Sequence, residues 1–120
     1  MKIAITAQGQ DLQSLVDPRF GRAQWFIIAD LETGRFEAVN NEQNLNAVQG
    51  AGIQAAENLA RHGASHLITG HCGPKAFRAL TAAGIKIVVG AKGTVAEALE
   101  KFKRGELNTA EGPDVEGHWA

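Results

Sequence analysis

The chain has a single cysteine and two serines, and it has no long apolar run. One cysteine cannot form an internal disulfide, which agrees with a reducing compartment. No apolar stretch approaches the length that crosses a bilayer, and the N-terminus lacks the long apolar segment and cleavage site of a secretory signal. These absences predict a cytoplasmic protein that does not enter a membrane.

Groups that would support hydrolysis or dinucleotide binding are also scarce. The first predicted strand has no carboxylate between Ile3 and Ala7 that could hold a catalytic metal. Neither serine, Ser14 or Ser65, lies in a G-x-S-x-G motif. Residues 50–55 match G-x-G-x-x-A as text, but no buried strand precedes them and no acidic residue follows at the distance that would bind a ribose. The sequence therefore disfavours both functions.

The composition and charge fit one globular domain. A chain of 120 residues with 44% hydrophobic and 21% charged residues can form one core, so wholesale disorder is not expected. The net charge of −1 conceals an asymmetry, because residues 106–120 carry a charge of −4 and the rest of the chain carries +3. A mildly cationic body can help to hold a small anion, but it lacks the basic density of a nucleic-acid binder.

Hydrophobic periodicity predicts the order β-β-β-α-β-α-β-α. The predicted strands are residues 2–7, 25–29, 36–39, 65–69 and 85–89. The predicted helices are residues 48–59, 74–83 and 95–102. A polar connection marked by Asn40, Asn41, Asn44 and Asn46 separates the first of them from the third strand. Thr94 is the expected N-cap of the last helix, and Gly63 is the expected C-cap of the first. This order predicts an α/β fold with a five-stranded mixed sheet, whose glycine loops gather at the carboxyl ends of parallel strands.

The most informative motif is Gly70-His71-Cys72-Gly73-Pro74-Lys75, where a strand gives way to a helix. A helix that begins at Pro74 leaves several N–H groups unpaired, and Lys75 adds a full positive charge in its first turn. His71 and Cys72 are soft metal ligands beside this anion site. The combination favours an anionic, sulfur-rich metal species. The alternative is a tight turn with a buried, inert thiol.

Two further loops carry positive charge. Residues 89–94 repeat the passage from a strand through two glycines into a helix, with Lys92 as the local charge. Residues 17–23 supply Arg19 and Arg22, whose planar groups can donate several hydrogen bonds to one anion. The alternatives are a simple connecting loop and surface arginines, one of them paired with Asp17.

Four segments in this order resemble the dinitrogenase iron-molybdenum cofactor family: Val16 to Ala23, Phe26 to Asp30, Gly70 to Ala76 and Gly90 to Val95. The resemblance spans residues 2 to about 107. It implies a ribonuclease H-like α/β fold and non-catalytic binding of a molybdenum-containing metal-sulfur cluster. A free-standing chain with Cys72 in this loop resembles a subgroup whose cofactor is a molybdenum-copper sulfide anion. The iron-molybdenum cofactor or its precursor is the alternative.

We therefore predict a metal-sulfur cluster-binding domain over residues 1–107 and a flexible acidic tail over residues 108–120. The residues expected to bind the cluster supply charge, backbone N–H groups or soft ligands: Arg19, Arg22, Gly70, His71, Cys72, Gly73, Lys75, Lys92, Gly93 and Thr94. Of these, Cys72 and His71 are the candidate metal ligands, and no residue is assigned a catalytic role. The expected partner is a cluster donor or acceptor protein, and the chain is expected to be a monomer.

Two other functions remain open at this point. Cys72, activated by the helix start and by His71 or Lys75, could serve a thiol-dependent redox or transferase enzyme. The domain could also be a regulatory interaction module that uses the fold only as a scaffold.

Overall fold

A computed structural model describes residues 1–41 and 51–113. Its elements are β1 (Lys2–Ala7), β2 (Trp25–Asp30), β3 (Phe36–Asn40), α1 (Ala51–Arg61), β4 (Ala64–Ile68), α2 (Pro74–Ala82), β5 (Lys86–Val88) and α3 (Val95–Lys103). The prediction of an α/β fold with a five-stranded mixed sheet is confirmed. In these two stretches of chain, no helix combines the length and apolar character that crossing a membrane requires.

The strands form one sheet in the spatial order β3-β2-β1-β4-β5. The first three strands are antiparallel neighbours, while β4 runs parallel to β1 and β5 runs parallel to β4. Ile5 of the central strand lies opposite Ile27 on one side and Ile68 on the other. Because β1 is flanked on both sides, five of its six residues are buried.

Helices cover both faces of the sheet. One core contains Leu59 of α1 and Leu80 of α2, packed with Phe26 and Leu67 of the sheet. The other core packs Val95, Ala98 and Leu99 of α3 against the opposite face of the strands. The two cores follow from the period-2 alternation of strand side chains, since successive residues of β1 point to opposite faces.

The predicted boundaries agree with the observed elements to within two residues in the described chain. β4 and α2 each end one residue earlier than predicted, and β5 is shorter than predicted. Thr94 caps α3 as expected, and Gly63 takes φ +77° just after α1. Of the predicted polar connection, Asn40 is instead the last residue of β3, and Asn41 is fully buried and donates a side-chain hydrogen bond to Ala23 O at 2.8 Å. Asn44, Asn46 and the first residues of the predicted first helix, including Val48, lie outside the described residues.

The chain after α3 lies along the free edge of β5. Leu107 is half-buried and packs against the α3-side core. Ala110 N–H donates a hydrogen bond to Ile87 O at 2.6 Å. The predicted tail therefore begins in contact with the body of the domain, and residues 114–120 lie outside the described part of the chain.

Candidate functional site

Three loops leave the sheet along one edge, because β1, β4 and β5 run parallel. These loops are residues 8–23, 69–73 and 89–94, and we call the edge they form the carboxyl edge. Ligands of open α/β sheets usually bind outside the carboxyl ends of the strands. The predicted gathering of the glycine loops at this edge is confirmed.

Backbone hydrogen bonds join the 69–73 and 89–94 loops. Gly90 N–H donates to Gly70 O at 2.8 Å, and Ala91 N–H donates to Thr69 O at 3.2 Å. Gly90 adopts φ +81°, a left-handed conformation that glycine takes without steric strain. The ladder between β4 and β5 thus continues into the loops and holds them side by side.

The 8–23 loop crosses the other two loops. Val16 N–H donates to Gly93 O at 2.9 Å, and the backbones of Arg19 and His71 form an isolated parallel bridge. The structure therefore brings together the segments of Arg19, His71 and Gly93, which are far apart in the sequence.

Gly70 permits a very close approach between two of these loops. A Cβ atom at Gly70 would lie 2.7 Å from Pro18 Cα and 2.8 Å from Pro18 O. A side chain cannot lie so close to another backbone, so only glycine fits at this position unless one of the two loops moves. The sequence placed Gly70 among the ligand-binding residues, and the structure gives it a packing role at the carboxyl edge.

Two fully buried threonines fix the 8–23 loop to the sheet. Thr6 Oγ1 donates to Asp17 O at 2.7 Å, and Asp17 N–H donates to Thr6 O at 2.9 Å. Thr6 Oγ1 also lies 2.9 Å from Thr69 Oγ1. Because the single hydroxyl proton of Thr6 goes to Asp17, Thr69 supplies the proton of this second bond. We call Thr6, Thr69 and Asp17 the threonine clamp.

Sequence reasoning missed the threonine clamp. The available signal was a hydroxyl residue near the carboxyl end of each of two apolar strands, Thr6 in β1 and Thr69 just after β4. A buried hydroxyl needs a hydrogen-bond partner, so two such residues on adjacent parallel strands indicate a shared polar contact.

The Asp17 carboxylate shapes the turn before Arg19. Its Oδ1 accepts a hydrogen bond from Arg19 N–H at 2.9 Å. Partial burial raises the pKa of Asp17, and the Arg19 backbone bond and guanidinium charge offset part of that rise. Asp17 therefore organises the loop as well as balancing part of the nearby positive charge.

Three of the predicted basic residues are exposed on the carboxyl-edge loops and the start of α2: Arg19, Lys75 and Lys92. None of them makes an ion pair within 4 Å with another described residue. Arg22 differs, since it is half-buried and engaged in an interaction of its own. Three exposed cations are thus available to a ligand at or beside this edge.

The first turn of α2 offers backbone donors. Its N-cap residue is Gly73, which has no side chain to cap the helix, and Pro74 follows at the first helical position. The N–H groups of Lys75 and Ala76 have no acceptor among residues 1–41 and 51–113. Such groups carry partial positive charge at a helix N-terminus and favour an anion.

The N–H groups in the first turn of α3 are already hydrogen-bonded, although α3, like α2, follows a strand and a loop with two glycines. Thr94 N–H donates to Glu97 Oε1 at 2.9 Å, and Glu97 N–H donates to Thr94 Oγ1 at 3.1 Å. Val95 N–H donates to Ser14 O at 2.9 Å, and Ala96 N–H donates to a further carbonyl of the same loop at 2.8 Å. The sequence placed Thr94 among the ligand-binding residues. Its N–H group and its hydroxyl oxygen are instead both hydrogen-bonded to Glu97 of its own helix.

The candidate soft ligands differ in accessibility. Cys72 has 0% exposed surface and packs in the core beneath α1 and α2, where its Sγ contacts Gly73 O at 3.7 Å. His71 is half-buried at the carboxyl edge and is engaged in an interaction of its own. Within the described residues, no three histidine, cysteine, aspartate or glutamate side chains form a group that could hold a metal ion.

The fold and the carboxyl edge define an α/β domain suited to binding a small anion. The chain belongs to the dinitrogenase iron-molybdenum cofactor family, whose model matches residues 1–105. The family resemblance inferred from the sequence is therefore confirmed.

The chain is also similar to solved structures over nearly its whole length. The chain is 47% identical to the apo form of the orange protein from Desulfovibrio gigas, covering 95% of this chain and 96% of that one with a TM-score of 0.94. It is 38% identical to a NifB-like protein from Thermotoga, covering 97% and 98% with a TM-score of 0.84. Among curated proteins, an uncharacterised protein from Methanocaldococcus jannaschii is 29% identical over 114 residues, 92% of each chain.

Proposed function

We propose that the chain is a non-enzymatic carrier for an anionic, molybdenum-containing metal-sulfur cluster. The cluster is a molybdenum-copper sulfide or, as the alternative, the iron-molybdenum cofactor or its precursor. The carrier acts in the cytoplasm as a monomer that exchanges the cluster with a donor or acceptor protein. The strand order and the parallel β1-β4-β5 arrangement support classifying the fold as ribonuclease H-like.

One observation carries this proposal: exposed cations from separate segments of the chain lie at or beside one edge of the sheet, and none of them forms an ion pair within 4 Å in the described chain. Arg19 and Lys92 come from two carboxyl-edge loops, and Lys75 comes from the first turn of α2. A multiply charged anion loses hydration when a protein binds it, and nearby positive charges and N–H groups compensate for that loss. Membership in the cofactor family and 47% identity to the orange protein support a cluster as the anion.

The donor groups fit a cluster that brings its own sulfide ligands. Cys72 is fully buried, so its Sγ cannot reach a cluster at the surface without movement of the surrounding core. The described residues also lack a group of three metal-ligating side chains. Cationic side chains and backbone N–H groups can hold a polyanion without a coordinate bond. We therefore assign the main binding role to Arg19, Lys75 and Lys92, with Arg22, His71 and the Gly73 loop around them.

A thiol-dependent enzyme is the second candidate function, and the burial of Cys72 weighs against it. A thiolate nucleophile must be reached by its substrate, whereas this thiol packs among apolar side chains. We expect Cys72 in the folded protein to react with a thiol-specific reagent far more slowly than in urea. Equal rates in the two conditions would restore the enzymatic proposal.

Reconstitution tests the carrier proposal directly. The purified chain is incubated anaerobically with tetrathiomolybdate, either with copper(I) or with iron(II), and then separated from unbound metal. The proposal predicts a coloured species that elutes with the protein in fixed molar ratio, with molybdenum and the second metal both found by elemental analysis. A colourless protein under both conditions would refute the proposal.

Charge variants locate the site. Lys75→Gln and Lys92→Gln should each weaken binding about tenfold, since each removes one unit of charge near a polyanion. Lys103→Gln, at the opposite end of α3, and Arg35→Gln, after the β2 strand, are matched controls that should bind normally. Equal losses in the controls would mean that net charge, rather than this edge, determines binding.

A further inference from the structure

A small hollow lies beside the carboxyl edge, between the 89–94 loop and α3. Its volume is about 100 Å³. The residues that line it are Gly90, Ala91, Lys92, Ala98, Lys101 and Leu107. A water molecule in liquid occupies about 30 Å³, so the hollow has room for one small ion and is far below the ~300 Å³ of organic-ligand pockets.

The rim of the hollow is cationic. Lys92 and Lys101 are both exposed, and neither makes an ion pair within 4 Å with a residue of the described ranges. Glu97 lies one turn before Lys101 on α3, but its Oε1 accepts a hydrogen bond from Thr94 N–H at 2.9 Å. The hydrogen bonds with Thr94 lower the pKa of Glu97, and the charge of Lys101 also acts on this carboxylate and contributes to lowering its pKa. With two lysines beside one carboxylate, the rim remains net positive.

The wall of the hollow is largely apolar. Ala91, Ala98 and Leu107 contribute hydrocarbon, and lysine side chains present methylene groups below their charged ends. A strongly hydrated oxyanion would lose its water against such a wall, and the wall itself would return no hydrogen bonds beyond those of the lysine ammonium groups at the rim. A larger, polarisable anion with sulfur at its surface holds its water less tightly, so apolar walls with cationic ends suit it better.

We propose that this hollow binds one mononuclear tetrahedral thiometallate anion, such as tetrathiomolybdate, and that the charge of Lys101 contributes to its affinity. The inference rests on the proposed carrier function and adds to it a position for a single metal unit beside the multinuclear cluster. Lys101 was not among the residues predicted from the sequence. Its role becomes visible only when α3 is packed beside the loop that contains Lys92.

Titration with tetrathiomolybdate alone, without copper or iron, tests the inference. Binding is followed by the visible absorption of the anion and by calorimetry. Lys101→Gln should weaken the affinity about tenfold, while Lys103→Gln on the same helix should change it less than about twofold. Molybdate has the same shape and charge with oxygen in place of sulfur, and it should bind at least about tenfold more weakly than tetrathiomolybdate.

Ala91→Leu provides a second variant that does not change the charge. Its side chain would fill part of the hollow, while the backbone bond from Ala91 N–H to Thr69 O can remain. This variant should lose tetrathiomolybdate binding and keep a normal urea-unfolding transition. Equal affinities of Lys101→Gln and Lys103→Gln, wild-type affinity in Ala91→Leu, or equal binding of molybdate would each overturn the inference.

The two proposals fail in different ways. If tetrathiomolybdate binds with the predicted variant pattern but neither copper nor iron yields a bound cluster, binding in the hollow is supported and the carrier function is refuted. If a cluster forms on the protein and Lys101→Gln binds tetrathiomolybdate as the wild type does, the carrier function is supported and binding in the hollow is refuted.

Discussion

The missing side chain at Gly70 lets the 8–23 loop lie directly against the end of β4. Gly70→Ala would place Cβ 2.7 Å from Pro18 Cα, so one of the two segments must move. We expect a loss of about 1–3 kcal/mol in the free energy of unfolding, as in other overpacked interiors, measured by urea denaturation. Gly112→Ala is the matched control, because a Cβ atom there meets nothing within 4 Å. Equal stability of the two variants would show that the loops separate without strain.

His66 lies in an environment that favours its neutral form. Its ring meets Phe102 edge-on at 5.0 Å between centroids, and its Nδ1 lies 2.9 Å from Ser65 Oγ. Partial burial lowers the pKa of His66 below its usual 6.5, and the positive charge of Lys86 lowers it further. Protonation of the folded protein is therefore harder than protonation of the unfolded chain.

This pKa shift predicts a pH dependence of stability. Because the folded-state pKa of His66 is the lower one, its contribution is complete above about pH 6.5 and is lost as the pH falls through the folded-state pKa. Urea denaturation at about pH 8 and pH 5 should show a larger loss of stability in the wild type than in His66→Gln. Parallel losses in the two proteins would assign the effect to other groups.

At the scale of elements, the threonine clamp ties β1, the end of β4 and the 8–23 loop together. Thr6→Val keeps the shape of the side chain and removes the hydroxyl group that serves Asp17 O. The partly buried carbonyl would then lack this donor, at a cost of about 1 kcal/mol in unfolding free energy. The Asp17 amide should also exchange its hydrogen faster. The two measurements are chemical denaturation and native-state hydrogen exchange.

Thr6→Ser is the control for the clamp, because it retains a hydroxyl group at the same position. It should preserve slow exchange at Asp17, and it should bind the reconstituted cluster more tightly than Thr6→Val. Identical exchange in the two variants would mean that the clamp does not position the loop of Arg19.

Local sequence predicted the positions of the helices better than it predicted which N–H groups at their N-termini are available to a ligand. Thr94 was predicted as an N-cap from its residue type, and the structure confirms it and adds a capping box with Glu97. The use of the remaining first-turn amides of α3 could not be predicted, since their acceptors are carbonyls of the 8–23 loop, such as Ser14 O. Two helices that each follow a strand and a loop with two glycines thus differ in the donors that they leave for a ligand.

At the scale of the whole molecule, the topology determines which predicted residues share the site. Arg19 and His71 are adjacent because β4 pairs in parallel with β1 and the 8–23 loop folds back over both strands. The parallel strands expected within the predicted mixed sheet were enough to bring the glycine loops to one edge. The predicted topology could not show that Cys72 is fully buried. The direction of a side chain in an irregular loop depends on tertiary packing, which the local sequence does not determine.

The same limit applies to the chain after α3. Gly112-Pro113 and Gly117 led to the prediction of a flexible segment from residue 108, which stays a prediction, but they gave no sign that Ala110 N–H would donate to Ile87 O of β5. That contact depends on the free edge of β5, which is a property of the assembled sheet. Lys101 became a candidate for a similar reason, since Leu107 and the 89–94 loop complete the hollow around it.

The most direct test of the central claim is the affinity of the reconstituted cluster for the wild type and for Cys72→Ala, measured at low and high salt. Capture by exposed cations predicts that Cys72→Ala binds within a few-fold of the wild type and that both proteins lose affinity as salt screens the charges. Loss of the cluster in Cys72→Ala, together with a salt-independent wild-type affinity, would instead identify thiolate coordination and contradict the account.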